Sequence, residues 1–387
     1  MKILVGSLTY PLPNGVTNSI NVSLDGFKEA GHELIVVAPD YGTGKFRPEH
    51  YPVASSRILE IVSGSYGNGE RFFSLKAAGQ IQRIIAELNP DAYWLHTVTW
   101  APNIFEVIMA QQRKPRVVTY HTNIDYYGRV YAGAVGEKHM AERSREVCQA
   151  VEQIIVPSHQ IEEKLRALDV SKPIAVIPTG IPPAHGALTP KELRQRYSIP
   201  QENKVLLFTG RLVREKNISG LIQMMADLCK LRSDVSLLLI GPGVHKDFET
   251  EAESLGVKKN IVMAGQASAQ EVRRHYPAAD AFVSASQHET QGLVIGEAMY
   301  AGLPVIALDS PIREEFYPQS VAVVVSEQAS FAASVNKVLN DEKLALKLTE
   351  AGKKFFAKNF AVQLMIDRQI KLFNSVVGPA TPKPPTS

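Results

Sequence analysis

Ser286-Gln287-His288-Glu289-Thr290-Gln291-Gly292-Leu293-Val294-Ile295-Gly296-Glu297-Ala298-Met299 is the stretch on which the fold turns. The short apolar run Ala281 to Val283 precedes it, and Ala301-Gly302-Leu303-Pro304 leads from it into a second run, Val305 to Leu308. The order is strand, polar loop, helix, glycine stop, strand. That is a βαβ unit, which lays its helix on a parallel sheet and leaves the loop at the carboxyl end of a strand. Gly292 allows the backbone to approach a ligand, and a helix starting near it turns free N–H groups toward an anion. Glu289 falls in the loop and Glu297 about one and a half turns into the helix, so the two carboxylates can address different parts of an extended, hydroxyl-bearing ligand. Local physics alone leaves a second reading open, a loop acid and a helix-surface acid without a ligand.

Working outward, the same alternation recurs. Toward the carboxyl end of the chain and before it lie Val205 to Phe208, Val235 to Ile240, Asn260 to Met263, and Val321 to Val325, with helical segments Ile218 to Leu231 and Leu293 to Tyr300. An earlier series comprises Ile3 to Val5, Glu33 to Ala38, Ala92 to Leu95, Arg116 to Tyr120 and Gln153 to Val156. Between its first two runs, Asn18 to Ala30 sets Ile20, Leu24 and Phe27 on one helical face and stops at Gly31. Pro178-Thr179-Gly180-Ile181-Pro182-Pro183 interrupts regular structure between the two series, which puts a domain boundary there. The fold class is therefore α/β, with two Rossmann-like doubly wound domains, 1–180 and 181–355. From Leu344 to Val377 the pattern is long and helical, and the proline-rich 378–387 reads as a disordered tail.

A chain of 387 residues that is 45% hydrophobic can bury two ordinary cores. Its 42 Lys and Arg against 39 Asp and Glu give a net charge of +3, too small to imply a nucleic-acid partner. Cys148 and Cys229 are the only cysteines and form no CxxC or Cys-His cluster, so neither a disulfide framework nor a zinc site is suggested and reducing cytoplasm is the expected compartment. Ile3-Leu4-Val5 ends at Gly6-Ser7, short of a signal segment, and no run is long enough to span a bilayer.

Other residues could carry chemistry. Phe208-Thr209-Gly210-Arg211-Leu212-Val213-Arg214-Glu215-Lys216-Asn217 joins a strand to a helix, and Arg211 and Lys216 could face one crevice, where fixed cations would stabilise a departing diphosphate. A solvated basic loop is the other reading. Gly241-Pro242-Gly243 ends a further strand and either admits a nucleotide or merely turns the chain. Pro11-Leu12-Pro13-Asn14-Gly15-Val16 offers a tight Asn-Gly turn after the first strand, without a GxGxxG or a Walker loop anywhere in the chain. His121 follows the strand Arg116 to Tyr120, where a polar side chain can orient or polarise a substrate; His96 is a weaker candidate of the same kind, and His32 reads as a turn stabiliser.

In order along the chain, Asn14-Gly15-Val16, Gly31-His32-Glu33, Tyr120-His121-Thr122, Pro157-Ser158, Ile177-Pro178-Thr179-Gly180, Gly210-Arg211-Leu212 with Lys216, and Glu289 and Glu297 seven residues apart resemble the family 4 glycosyltransferases. The resemblance covers Met1 to Val377 and implies the GT-B fold, a retaining transfer from a nucleotide sugar, no required metal or other cofactor, and a cleft between the domains. It implies that 356–377 forms a helix packing back on the first domain. By residue, it makes Gly15 phosphate-proximal, His121 the histidine beside the donor sugar, and Arg211 and Lys216 the diphosphate pair. Glu289 would hold the transferred sugar's hydroxyls, Gly292 and Leu293 would offer backbone to sugar and phosphate, and Glu297 would bind ribose. Where the family often has two adjacent glycines, this chain has Asn14-Gly15. Retention without a placed nucleophile favours same-face substitution, with the leaving phosphate deprotonating the acceptor.

Glu289-Thr290-Gln291-Gly292-Leu293 and Asn14-Gly15-Val16 are similar to the bacterial branch that glycosylates diacylglycerol. That resemblance implies UDP-glucose as donor, a lipid acceptor, and peripheral contact with anionic lipid at the inner face of the membrane, aided by the basic stretch Lys347 to Lys371. The competing expectations are a soluble sugar or metabolite as acceptor, or a nucleotide-sugar-binding protein without catalysis.

Overall fold

A computed structural model describes residues 1–56, 71–96, 98–243 and 245–378. The chain divides into two compact units, Met1–Gly180 joined by the chain from Val362 onward, and Ile181–Ala361.

The first unit opens with β1 (Lys2–Gly6), α1 (Gly15–Glu29), β2 (Glu33–Pro39) and β3 (His50–Val53). A small antiparallel pair follows, β4 (Ser55–Ser56) with β5 (Phe72–Phe73), then α2 (Ala77–Leu88) and β6 (Ala92–Leu95). Next come α3 (Ile104–Ala110), β7 (Arg116–Thr119), α4 (Ile124–Gln149), β8 (Gln153–Val156), α5 (His159–Ala167) and β9 (Ile174–Val176). Seven strands lie parallel in the order β3-β2-β1-β6-β7-β8-β9, with Leu4 of β1 opposite Ile35 on one side and Tyr93 on the other. The order reverses direction at β1, beside which ligands of such sheets bind. Alternate residues serve opposite cores. Ile3 and Val5 pack with Phe27, Trp94 and Phe373, whereas Leu4 packs with Tyr93, Phe105 and Val118.

In the second unit α6 (Pro190–Arg196), β10 (Lys204–Thr209), α7 (Ile218–Leu228), β11 (Val235–Ile240), α8 (His245–Ser254) and β12 (Ile261–Met263) come first. They are followed by α9 (Ala269–His275), β13 (Ala281–Ser284), α10 (Leu293–Ala301), β14 (Val305–Leu308), α11 (Arg313–Phe316), β15 (Val323–Val325), α12 (Phe331–Asn340) and α13 (Glu342–Asn359). Six strands run parallel as β12-β11-β10-β13-β14-β15. Again both faces are covered, Leu206 and Phe208 facing one core and Val205 and Leu207 the other.

Two local expectations change. Asn14-Gly15 is not a free turn: Asn14 caps α1, its side chain accepting from the Thr17 N–H at 2.8 Å, and Gly15 is the first helical residue. A side-chain acceptor satisfies one of the donors that a helix start leaves open, so Asn before an apolar-periodic run starts the helix early. The long helical stretch is also two helices. It breaks at Phe360 and Ala361, and α14 (Val362–Val377) joins the first unit, so the switch between units falls at 361/362 rather than at 355/356. There Ser23 of α1 donates to Gln369 at 3.0 Å, and Gly26 lies so close to Ile366 that a Cβ would stand 2.4 Å from it. The basic residues of this stretch are accordingly divided, with Lys347, Lys353, Lys354 and Lys358 exposed on α13 and Arg368 and Lys371 exposed on α14. The tail expected to be disordered lies outside the described residues after Gly378.

Candidate functional site

In the second unit the site is built where β10, β11 and β13 end. Gly210 and Gly241 are backbone neighbours: Gly210 donates to Ile240 O at 2.9 Å, Leu212 donates to Pro242 O at 2.7 Å, and a Cβ on Gly241 would fall 1.8 Å from Gly210 O. Packing of one loop on another thus accounts for Gly241-Pro242-Gly243 without a ligand. Past Leu212 the chain makes a tight turn at Arg214–Lys216 and reaches Asn217, held in the left-handed region at φ 51°. Asn217 is the hinge of this corner. Its Oδ1 accepts from Gly220 N–H at 3.2 Å, starting α7, and its Nδ2 donates to Ala285 O at 3.2 Å, tying the corner to the end of β13.

That tie brings Lys216 to Glu289, Nζ to Oε1 at 2.6 Å, with the side chains 19% and 12% exposed. The cation and the acid come from separate loops, 73 positions apart. Arg211, on the same loop as Lys216, stands 3.9 Å from Glu215, whose side chain is 7% exposed. Three residues beyond Glu289, Gly292 sits at φ 69° and precedes Leu293, the first residue of α10. A side chain there would be strained by the backbone and would stand 3.2 Å from Ile312. The first-turn N–H groups of α10 have no helical acceptors, and the helix directs its positive end toward this loop.

Glu297 is buried rather than on a helix surface. Tyr276 donates its hydroxyl to Oε2 at 2.7 Å, Thr209 Oγ1 lies 2.6 Å from the same hydroxyl, and Arg273 stands 3.6 Å from Oε1. With Glu297 ionised, the single Tyr276 proton goes to the carboxylate, so Thr209 donates to Tyr276. Burial pushes the Glu297 carboxyl above the usual carboxylate range, against the pull of Tyr276 and Arg273. Burial, and then the Glu297 charge, push the Tyr276 phenol well up. Sequence reading missed Tyr276, Thr209, Arg273 and Asn217. A hydroxyl at the end of β10 was visible, but only the tertiary fold aims Tyr276 at a residue 21 positions on.

In the first unit His121 follows β7 and His96 follows β6, neighbouring strands of one sheet. His96 Nδ1 lies 2.9 Å from His121 Nε2. His96 is buried and His121 half-buried; burial lowers the pKa of His121 to about 4, and burial followed by the His121 ring holds that of His96 well below the usual imidazole value. Gly15 opens α1 beyond the end of β1, on the same edge of the sheet. His32 receives the chain's amino terminus, Met1 N to Nδ1 at 3.2 Å, in keeping with a role at its turn. Among the described residues no three of His, Cys, Asp or Glu converge as metal ligands, and no helix is long and apolar enough to cross a membrane.

Residues 13–185 match the family described as Glycosyltransferase Family 4, and residues 190–355 match Glycosyl transferases group 1. The chain is 27% identical to an alpha-monoglucosyldiacylglycerol synthase of Streptococcus pneumoniae, over 92% of this chain and 84% of that protein. It is 25% identical to a GDP-mannose-dependent alpha-mannosyltransferase of Mycobacterium tuberculosis, over 86% of this chain and 90% of that protein. Among solved structures, sucrose-phosphate synthase from Thermosynechococcus elongatus superposes with a TM-score of 0.81 at 17% identity, covering 97% of this chain and 98% of that one. That likeness fixes the architecture as GT-B.

Proposed function

Since the chain belongs to the family 4 glycosyltransferases and is a retaining enzyme that uses a nucleotide sugar, we propose that it transfers glucose from UDP-glucose to a hydroxyl of a membrane lipid such as diacylglycerol. The observation that carries the donor half is the meeting of Lys216 and Glu289 beside the start of α10. A hexosyl diphosphate needs a cation at its leaving group and an acceptor for sugar hydroxyls within a few ångströms of each other. Here they touch.

In this reading Glu297, steadied by Tyr276, accepts from ribose, and Gly292 and Leu293 lend backbone to sugar and phosphate. Arg211, Lys216 and the α10 amino end meet the charge that gathers on the diphosphate as the anomeric carbon–oxygen bond breaks. The acceptor hydroxyl attacks the same face, its new bond to the anomeric carbon forms, and its proton passes to the departing phosphate oxygen. From the first unit, Gly15 serves the phosphate side and His121 orients the sugar. The lipid half rests on the alpha-monoglucosyldiacylglycerol synthase relative, which matches most of both chains; the mannosyltransferase relative makes GDP-mannose the competing donor.

Purified protein given UDP-glucose or GDP-mannose, with either mixed lipid vesicles containing diacylglycerol or water-soluble glycosides, tests both halves. An α-glucosyl lipid from UDP-glucose is expected, identified by mass and anomeric configuration. Transfer to soluble acceptors alone overturns the lipid assignment, mannosyl product overturns the donor, and an inverted product overturns the same-face course.

A further inference from the structure

Four aromatic rings form a column through the first unit. Phe373 of α14 packs on Trp94 with ring centroids 4.9 Å apart, Trp94 on His96 at 4.4 Å, and His96 beside His121 at 5.1 Å with planes 26° apart. The base of the column is fixed twice: Trp94 Nε1–H donates to Thr119 Oγ1 at 2.7 Å, and the His96 main-chain N–H donates to Gly6 O at 2.9 Å. Each histidine stands two residues past one of these anchors, Trp94 on β6 and Thr119 on β7. His96 therefore has little freedom to turn, and its Nδ1 faces His121 Nε2 at 2.9 Å.

Two neutral rings share one proton across that contact, so two arrangements exist. If His121 donates from Nε2, the proton of His96 must sit on its own Nε2. That atom is buried and has no hydrogen-bond partner among the described residues, so the arrangement leaves a buried N–H orphaned. If His96 donates from Nδ1, its Nε2 carries only a lone pair. Buried orphan donors are rarer than under-satisfied acceptors, which selects the second arrangement.

We propose that His96 is a positioning residue for His121: it donates its Nδ1–H to His121 Nε2, so that His121 stands as the Nδ1–H tautomer with Nε2 closed to the substrate. The inference rests on the reading that His121 faces the transferred sugar, and it narrows that role. A ring whose Nε2 lone pair is already committed does not take the acceptor's proton at that atom. What His121 offers the sugar is a fixed neutral ring and main chain, and the proton is left to the departing phosphate.

The test begins with the wild-type protein, full length and labelled with carbon-13 and nitrogen-15, the rings of His96 and His121 assigned by through-bond correlation to their own main chains. Long-range nitrogen–proton spectra should show the protonated ring nitrogen of both His96 and His121 at Nδ1. A protonated Nε2 on His121 overturns the proposal, and this measurement stands even where a variant does not fold. Kinetics supply the second arm: His96→Leu should lower kcat about 10- to 100-fold through loss of orientation, with donor KM nearly unchanged. His96→Asn, which restores an N–H near the Nδ1 position, should recover most of that loss. Wild-type kcat in folded His96→Leu, or failure of His96→Asn to do better than His96→Leu, overturns the positioning role. Unchanged transfer in His121→Leu sinks the role read for His121 and the positioning role with it, whereas the wild-type spectrum reports the tautomer separately.

Discussion

Glu297 has two oxygens and two unlike neighbours, a phenol at 2.7 Å and a guanidinium at 3.6 Å, and so is aimed before any donor arrives. Removing the carboxylate in Glu297→Ala should weaken UDP-glucose binding by about 1.5 to 3 kcal/mol, the worth of hydrogen bonds to a charged group, and alter the single-turnover rate of bound donor much less. Calorimetry and rapid-quench rates separate the two; unchanged affinity with lost turnover would contradict ribose binding. Tyr276→Phe keeps the ring and removes the aim, so donor Kd should rise by up to about tenfold while saturated turnover holds. Lys216→Ala belongs to the opposite class. On the proposed roles it leaves Glu289 without its partner and the diphosphate with one cation fewer, and turnover at saturating donor should fall by about 100-fold or more while the circular dichroism spectrum is retained. Wild-type turnover in a folded Lys216→Ala would remove Lys216 from the diphosphate role.

At the scale of elements, α14 is the support under the first unit's histidines, because Phe373 holds Trp94 from below and Gln369 and Ile366 fasten the helix to α1. Phe373→Ala should cost about 3 to 5 kcal/mol in denaturant unfolding, as deletion of a fully buried aromatic ring does, against about 0.5 kcal/mol or less for the exposed Leu346→Ala. A Phe373→Ala protein as stable as wild type would show that the helix is not part of that core. Elements such as β1, β2 and α10 were legible because continuous apolar runs, buried on both faces, and a glycine-started helix leave local signatures. The break at Phe360 was not. No proline or glycine marks it, and what separates α13 from α14 is which core each apolar stripe finds, Phe356 with Ile295 and Met299, Phe373 with Trp94. The site divides along the same line. Glu289, Lys216 and Gly292 could be chosen from loop position and residue type, whereas Tyr276, Arg273 and Asn217 act through contacts spanning 21 to 68 positions that no local pattern encodes.

For the whole molecule, acid is the revealing variable. His50 and His121 have pKa values lowered to about 4 and His96 is held well below the usual imidazole value, each chiefly because burial disfavours the charged ring. The unfolded chain binds protons at His50 and His121 near pH 6.5, and the folded first unit does not until about pH 4. Stability contributed by keeping them neutral is therefore complete above pH 6.5 and drains away as pH falls from there toward 4, by about 1.4 kcal/mol per pH unit for each group across the window. Urea midpoints measured between pH 7 and 4 should fall, with a shallower slope in His50→Gln; an equal slope would show that His50 is not a source. The division of the chain has a further consequence, for how the protein is made. Residues 181–361 are one uninterrupted stretch, whereas the first unit closes only with α14. On the ribosome, Phe27 and Trp94 must wait for Phe373 while the entire second unit is synthesised and free to fold ahead of them. The half of the enzyme that is translated first is thus the half completed last, and until then its unfinished apolar face is what a chaperone or protease would meet.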